Sequence, residues 1–322
     1  MNGISRVQSA IYRLPLDRVP KGELLVEKGF IDEFLEMTGE NEKLKCQDAE
    51  IEFYHRIGLD LVCIHYERPQ GLHRKNIKSY DNIKRYINEG FFVFALLDGA
   101  FQTSMRELGF TDFLKMTAAR PDEAVKEIRF FSQKLIPLIQ QAAQEGAHGI
   151  IIADDIAYNR GPYMSPAIIK EFILPCWQEQ VNAAGELNMP VFFHSDGNIT
   201  DVLPAIVEAG FNGLQCIEPA SGMDIKEVKD KYGHRLCLMG NIDPALLSRG
   251  SGMDTQPGSE NQNHPSGCGS FKVLEKAVRN LVSAAAPGGG FIFGSCSGLH
   301  AGLSPEKVRF MYEMAEKMGT YR

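Results

Sequence analysis

The chain has 322 residues, 44% hydrophobic and 23% charged, with a formal net charge of −7. Those fractions are ordinary for a globular protein and exclude a wholly disordered chain, a collagen-like repeat and a disulfide scaffold. The acidic balance speaks against a nucleic-acid partner, because such binders usually carry a basic surplus. Length alone admits one large α/β barrel or two smaller domains.

Apolar runs bounded by Gly, Asn or Pro recur along the chain between longer amphipathic stretches. In order they predict strands at Gly22–Val26, Asp60–His65, Phe91–Leu97, Gly149–Ala153, Pro190–His194, Gly213–Ile217, Arg235–Met239 and Gly290–Phe293. Most are apolar throughout rather than alternating, the pattern of parallel strands buried on both faces. Between them, Pro121–Gly146 opens with Pro and two acids and ends on Gly, and Ser165–Leu187 and Ser304–Gly319 both open with a Ser-Pro pair suited to an N-cap and first helical turn. Pro175 predicts a kink in the second of these helices. Thr200–Ala209 and Asp224–Tyr232 are shorter amphipathic stretches.

Eight strands alternating with helices predict a single (β/α)8 TIM barrel over residues 1–322, with an N-terminal extension. A doubly wound sheet would need a Gly-rich phosphate fingerprint after an early strand, and the chain has none. Ser251–Ser270, rich in Gly, Ser, Asn and Pro, reads as a flexible polar insertion before the last βα unit.

The chain shows no run near the ~18 apolar residues of a membrane span. Its first twenty residues lack the charged-then-apolar plan of a signal peptide. Its seven cysteines are scattered, without a CxxC pair, and suggest reduced thiols in a cytoplasmic enzyme.

Chemistry in a barrel belongs to the loops after the carboxyl ends of its strands. There the sequence places His65, Tyr66, Glu67 and Arg68; Asp98; Asp154 and Asp155; His194, Asp196 and Asn198; Glu218; Asn241 and Asp243; and Ser295, Cys296, Ser297 and His300. Taken singly these residues have structural explanations. Asp155 and Asp243 could cap the adjoining loop or helix, Glu218 could pair with a buried cation, and His194 could be a core histidine. Polar groups at almost every strand end point instead to a site. Acids outnumber the candidate cations Arg68, His73, Arg74 and Arg160, which suits a metal ion or proton transfer better than a polyanionic substrate. His194 and Asp196, two apart at a strand end, with Cys296, would form a three-ligand zinc set with an open position.

Five segments, LPLDRVP, DDIAYNRGPYMSP, PVFFHSDGNITDVLPAIVEAGFNGLQCIEP, DIKEVKDKYGHRLCLMGNIDP and APGGGFIFGS, resemble the uroporphyrinogen decarboxylase superfamily. They most resemble its cobalamin-dependent methyltransferase branch, the methylcobalamin:coenzyme M methyltransferases and O-demethylase components. The resemblance runs from about Asp17 to Met318, the insertion excepted, and implies the barrel. The decarboxylase proper carries an Arg-rich motif after its first strand and an Asp after its second. Here those stretches read VEKGFIDEFLE and LVCIHYERP, which argues against porphyrinogen decarboxylation.

The methyltransferase branch implies a zinc site on an H-x-C motif and a later Cys. His194 matches, Asp196 stands in place of the first Cys, and Cys296 falls one residue early for the second. That change disfavours a thiol substrate and suits a harder metal site acting on an ether or alcohol oxygen. Alternatively no metal binds, and Asp196 protonates the leaving group. The resemblance thus implies methyl transfer between a small methyl ether, amine or thiol and a cobalamin supplied in trans by a corrinoid protein. His194, Asp196 and Asp154 would be catalytic, and Asp98, Asp155, Tyr158, Asn198, Glu218 and Asn241 would bind substrate. Phe193, Tyr158 and Tyr163 would wall an aromatic ether. Decarboxylation of a carboxylated substrate, or a non-catalytic barrel that binds a corrinoid or another ligand, are the alternatives.

Overall fold

The computed structural model describes residues 1–37, 46–65, 83–249 and 271–321. Seven strands form one parallel sheet in chain order: β1 (Leu61–His65), β2 (Phe92–Asp98), β3 (Gly149–Ala153), β4 (Val191–Ser195), β5 (Gly213–Cys216), β6 (Cys237–Ile242) and β7 (Phe291–Ser295). Each expected strand from the second to the eighth appears, with its ends displaced by no more than three residues.

The first expected strand is reduced to isolated bridges. Lys21 pairs with Phe293 of β7 and Gly22 with Leu61 of β1, both in parallel sense. Gly22 N–H donates to Phe293 O (2.9 Å), and Asp60 N–H donates to Lys21 O (2.8 Å). The two edges of the curled sheet therefore meet on one short segment, which makes the fold a TIM-like barrel. Pro20 immediately precedes this segment and has no N–H to add to a ladder.

Alternation along the strands separates two apolar regions. Leu61, Phe92, Phe94, Ile151, Phe192, Met239 and Ile292 point into the barrel, where they meet Val7, Ala10 and Ile11 of the helix Gly3–Tyr12. That helix lies across the amino-terminal ends of the strands, with Ile4 N–H bonded to Gly90 O (3.2 Å). Arg6 and Arg18 both reach the buried Asp60 there (2.5 and 2.6 Å). The closed base leaves the opposite, carboxyl-end face for chemistry.

The helices follow the predicted starts more closely than the predicted lengths. Ser165, Asp224 and Ser304 each accept a backbone N–H as N-caps. Pro121–Gly146 is two helices, Pro121–Gln133 and Ile136–Glu145, because Pro137 has no N–H for the preceding turn. Within Ser165–Leu187 the expected kink at Pro175 takes the form of a wide π-turn over Ile169–Ile173. The helix Phe271–Ala285 begins where the polar insertion was expected to end, and Ser251–Ser270 itself lies outside the described residues. Among the described residues no helix is long and apolar enough to cross a membrane.

Candidate metal centre

The side chains of His194 from β4, Asp155 from the loop after β3 and Asp196 from the loop after β4 converge at the carboxyl ends of neighbouring strands. Each offers one ligating atom, and the three atoms all lie within 4.8 Å of one another. Alternation puts His194 on the inner side of its strand, where it is buried, while both acids remain accessible to solvent. His194 Nε2 is 3.8 Å from Asp155 Oδ1.

Hydrogen bonds hold each member of the cluster. Asp196 N–H donates to Asp155 Oδ1 (3.0 Å), which ties the two loops together. The Cys216 thiol donates to Asp196 Oδ1 (3.2 Å). His194 Nδ1 is bonded to Gln215 Oε1, and Gln215 Nε2 donates onward to Cys296 O (2.8 Å). The end of β5 reaches the cluster through left-handed backbone at two residues with side chains, Cys216 (φ 90°) and Ile217 (φ 55°). Such conformations are costly and concentrate at functional sites. A hydrogen bond with the Cys296 thiol, followed by burial and the charge of Asp196, pushes the Cys216 thiol well above its ordinary range.

The expected metal set was His194, Asp196 and Cys296, but the third place in the cluster falls to Asp155. Cys296 is fully buried, its carbonyl turned to Gln215 and its thiol to Cys216. Asp154, expected to be catalytic, is turned away from its neighbour. It is fully enclosed, accepts Phe101 N–H (3.2 Å) and Gln102 N–H (2.6 Å) at the start of the helix Ala100–Leu108, and accepts the Trp177 indole N–H (2.7 Å). Burial pushes its carboxyl up to about 7 despite these donors. Phe193 packs outward against Trp177 and Phe211 (5.0 and 5.2 Å between centroids), so it does not wall the mouth.

The other expected residues hold the rim. Asp98 pairs with Arg106 (2.7 Å). Glu218 accepts Gly197 N–H (3.2 Å) and the Ser221 hydroxyl, which anchors the loop of Asp196. Asn198 N–H donates to Tyr158 O (2.9 Å), and its side chain accepts Thr200 N–H (3.1 Å). Asn241 donates to Ile217 O (2.9 Å), and Asp243 caps the helix Pro244–Leu247. Tyr158 stacks on Tyr163 (5.4 Å, 20°), and Tyr163 in turn on Phe101 (6.0 Å, 1°). Tyr158 keeps 44% exposure. Arg160 is exposed on the turn beside Tyr158, while Tyr66, Glu67, Arg68, His73 and Arg74 lie outside the described residues.

Gln215 and Cys216 were missed because β5 reads as an apolar run. The available signal was an amide in the middle of that run, since a buried glutamine must find partners for both ends.

A family model described as "Uroporphyrinogen decarboxylase (URO-D)" matches residues 77–260, more than half of the chain. The uroporphyrinogen decarboxylase of Thioalkalivibrio sulfidiphilus (strain HL-EbGR7) is 29% identical over 97 residues, 30% of this chain and 22% of that protein. Uroporphyrinogen decarboxylase 2, chloroplastic, of Arabidopsis thaliana is 24% identical over 140 residues, 43% of this chain and 34% of that protein. The chain thus spans about a fifth and a third of the lengths of these relatives. Among solved structures, a methyltransferase from Methanosarcina mazei shares the fold with a TM-score of 0.70 at 16% identity, over 98% of this chain and 99% of that one. A sugar phosphate isomerase/epimerase from Parabacteroides distasonis ATCC 8503 reaches 0.50 at 11% identity, over 94% of this chain and 98% of that one. With its barrel and with more than half its length inside the family model, the chain belongs to the uroporphyrinogen decarboxylase (URO-D) superfamily.

Proposed function

We propose that this protein is a methyltransferase that moves a methyl group between a small substrate and the corrinoid of a separate partner protein. The observation that carries the reading is the His194–Asp155–Asp196 cluster at the open face of a barrel shared end to end with the Methanosarcina mazei methyltransferase.

The donor set, one imidazole nitrogen and two carboxylate oxygens, fits a divalent ion such as zinc with a position left for substrate. His194, Asp155 and Asp196 would hold it, and when bound it would polarise a substrate oxygen or lower the pKa of a substrate thiol. Two carboxylates and no thiolate make the set hard, which favours a methyl ether over a thiol. The outer face of the Tyr158–Tyr163–Phe101 stack offers a flat wall to an aryl group. Were no metal bound, Asp196 would instead protonate a leaving alkoxide or phenoxide; its Oδ1 accepts the Cys216 thiol, and its backbone N–H donates to Asp155.

The test is incubation of the zinc-supplemented protein with methylcob(III)alamin and thiol, amine or phenol acceptors, and with cob(I)alamin and the corresponding methyl donors. The cobalt spectrum reports transfer. The expected result is turnover with at least one class, falling 100-fold or more in His194→Ala and Asp196→Ala. No spectral change with any class overturns the reading.

The family match and the curated relatives favour a second reading, decarboxylation of a carboxylated substrate. That chemistry calls for convergent cations at the mouth, the candidates being Arg160, exposed beside Tyr158, and Arg68 and Arg74, which lie outside the described residues. Release of carbon dioxide from uroporphyrinogen would establish it in place of the first.

A further inference from the structure

A histidine can reach a ligand or a proton through either ring nitrogen, and its partner at the other nitrogen decides which. His194 has one such partner in the barrel interior, the side chain of Gln215 on the adjacent strand β5. The two residues stand opposite each other in the parallel register. Gln215 is fully buried and His194 nearly so, leaving no room for bulk water to compete.

The orientation of the amide follows from its far end. Gln215 Nε2 lies 2.8 Å from the carbonyl oxygen of Cys296, which only accepts. That carbonyl is held in turn, because Cys296 N–H is bonded to Ile242 O (3.0 Å) at the end of β6. Turning the amide over would set two oxygens face to face, so Oε1 must face His194. An oxygen in that place accepts, and His194 Nδ1 must carry the proton.

We infer that Gln215 is a positioning residue that locks neutral His194 as its Nδ1–H tautomer. The Nε2 lone pair is thereby presented to the space shared with Asp155 and Asp196. The inference deepens the proposed function and rests on it for what the lone pair does, though not for the tautomer itself. A neutral amide, unlike a carboxylate, orients the ring without adding a third negative charge to a cluster that already holds two acids. The chain of bonds also joins three parts of the barrel, from β4 through β5 to the residue after β7. Outer partners of metal-bound histidines typically change affinity by about 10–100-fold when removed.

The experiment uses the full-length protein with ¹⁵N-labelled histidine, at a pH where the His194 ring is neutral. Nitrogen shifts are recorded without metal, and zinc affinity is measured by calorimetry. Wild type is expected to show a protonated Nδ1 and a bare Nε2. Gln215→Leu should lose that preference and bind zinc about 10–100-fold more weakly. Gln215→Glu as the neutral acid keeps both bonds, its carbonyl oxygen accepting Nδ1–H and its O–H donating to the Cys296 carbonyl, so it should retain the tautomer and recover most of the affinity; this variant separates a positioning effect from misfolding. An Nε2–H tautomer in wild type, or equal tautomers and equal zinc affinity in the Leu and Glu variants, overturns the inference. If wild type shows the Nδ1–H tautomer, the Leu variant loses it and neither binds zinc, the metal reading fails while the positioning role stands.

Discussion

Neighbouring residues at the strand ends have opposite fates, and strand alternation decides which. Asp155 joins the candidate metal cluster while Asp154 caps a helix; His194 faces the barrel interior while Phe193 packs against the outer layer. Sequence places such pairs at a strand end but does not say which member points inward, because a shift of one residue in the strand boundary exchanges them. His194 and Asp196 were legible because a strand-to-loop transition brings both to one side. Cys216 was not, since its contact with Asp196 depends on left-handed backbone that an apolar run does not announce. Glu23 is a second residue whose role emerges only from packing. It is 2% exposed and accepts Ser295 N–H (3.0 Å), the Ser295 hydroxyl (2.5 Å) and the Tyr312 hydroxyl. Burial outweighs these bonds and raises its carboxyl from 4.5 to about 7. Between those two values the folded protein binds more protons at this site than the unfolded chain does. The contribution of Glu23 to stability is therefore full below about 4.5 and is lost as pH rises to about 7. Urea midpoints at pH 5 and pH 8 test this. Wild type should lose on the order of 2 kcal/mol more across that interval than Glu23→Gln, which has no proton to release. Parallel pH profiles would refute it.

At the scale of elements, the loop after β4 acts as a unit with a short hairpin, in which Ala157–Tyr158 pairs antiparallel with Gly161–Pro162. Three consecutive amide N–H groups of the loop are taken by three different partners: Asp196 by Asp155, Gly197 by Glu218 and Asn198 by the carbonyl of Tyr158. Gly197 at φ 89° lets the chain pass so close to the hairpin that an added Cβ would lie 2.8 Å from the Ala157 carbonyl. Gly197→Ala should accordingly push the loop off the hairpin and carry Asp196 with it. Zinc affinity is expected to fall about tenfold or more, with a stability loss of about 1–3 kcal/mol. Calorimetry and thermal unfolding measure the two effects, and unchanged zinc affinity would show that the loop does not depend on this approach. The helix starts were legible because Ser-Pro and Asp caps are local chemistry. The break before Pro137 and the π-turn before Pro175 were harder to place, because a proline removes a bond without saying how the preceding turn reorganises.

For the whole molecule, eight apolar runs alternating with helices made the barrel legible, though not how briefly the first of them pairs. Closure falls to a segment too short to count as a strand, with Gly22 and Lys21 bridging β1 and β7. The apolar run Gly22–Val26 marks the place, but not that it pairs through isolated bridges in place of a full ladder. The meeting is tight: a Cβ on Gly294 would stand 2.0 Å from the carbonyl oxygen of Gly22, a backbone atom that cannot rotate aside. Gly294→Ala should therefore prise the segment from β7 and cost more than about 3 kcal/mol in urea unfolding. Gly29→Ala is the control, since its Cβ meets nothing within 4 Å and it lies in the helix Lys28–Met37. It should be neutral or stabilising by up to about 1 kcal/mol. A urea midpoint for Gly294→Ala equal to wild type would make the contact dispensable. The same variant should also weaken zinc binding, although Gly294 lies outside the candidate metal cluster. Gly294 lies at the end of β7 and Cys296 just beyond it, and the Cys296 carbonyl orients Gln215 and through it His194. Strain at Gly294, two residues before that carbonyl, thus reaches the orientation of the histidine as well as the stability of the fold.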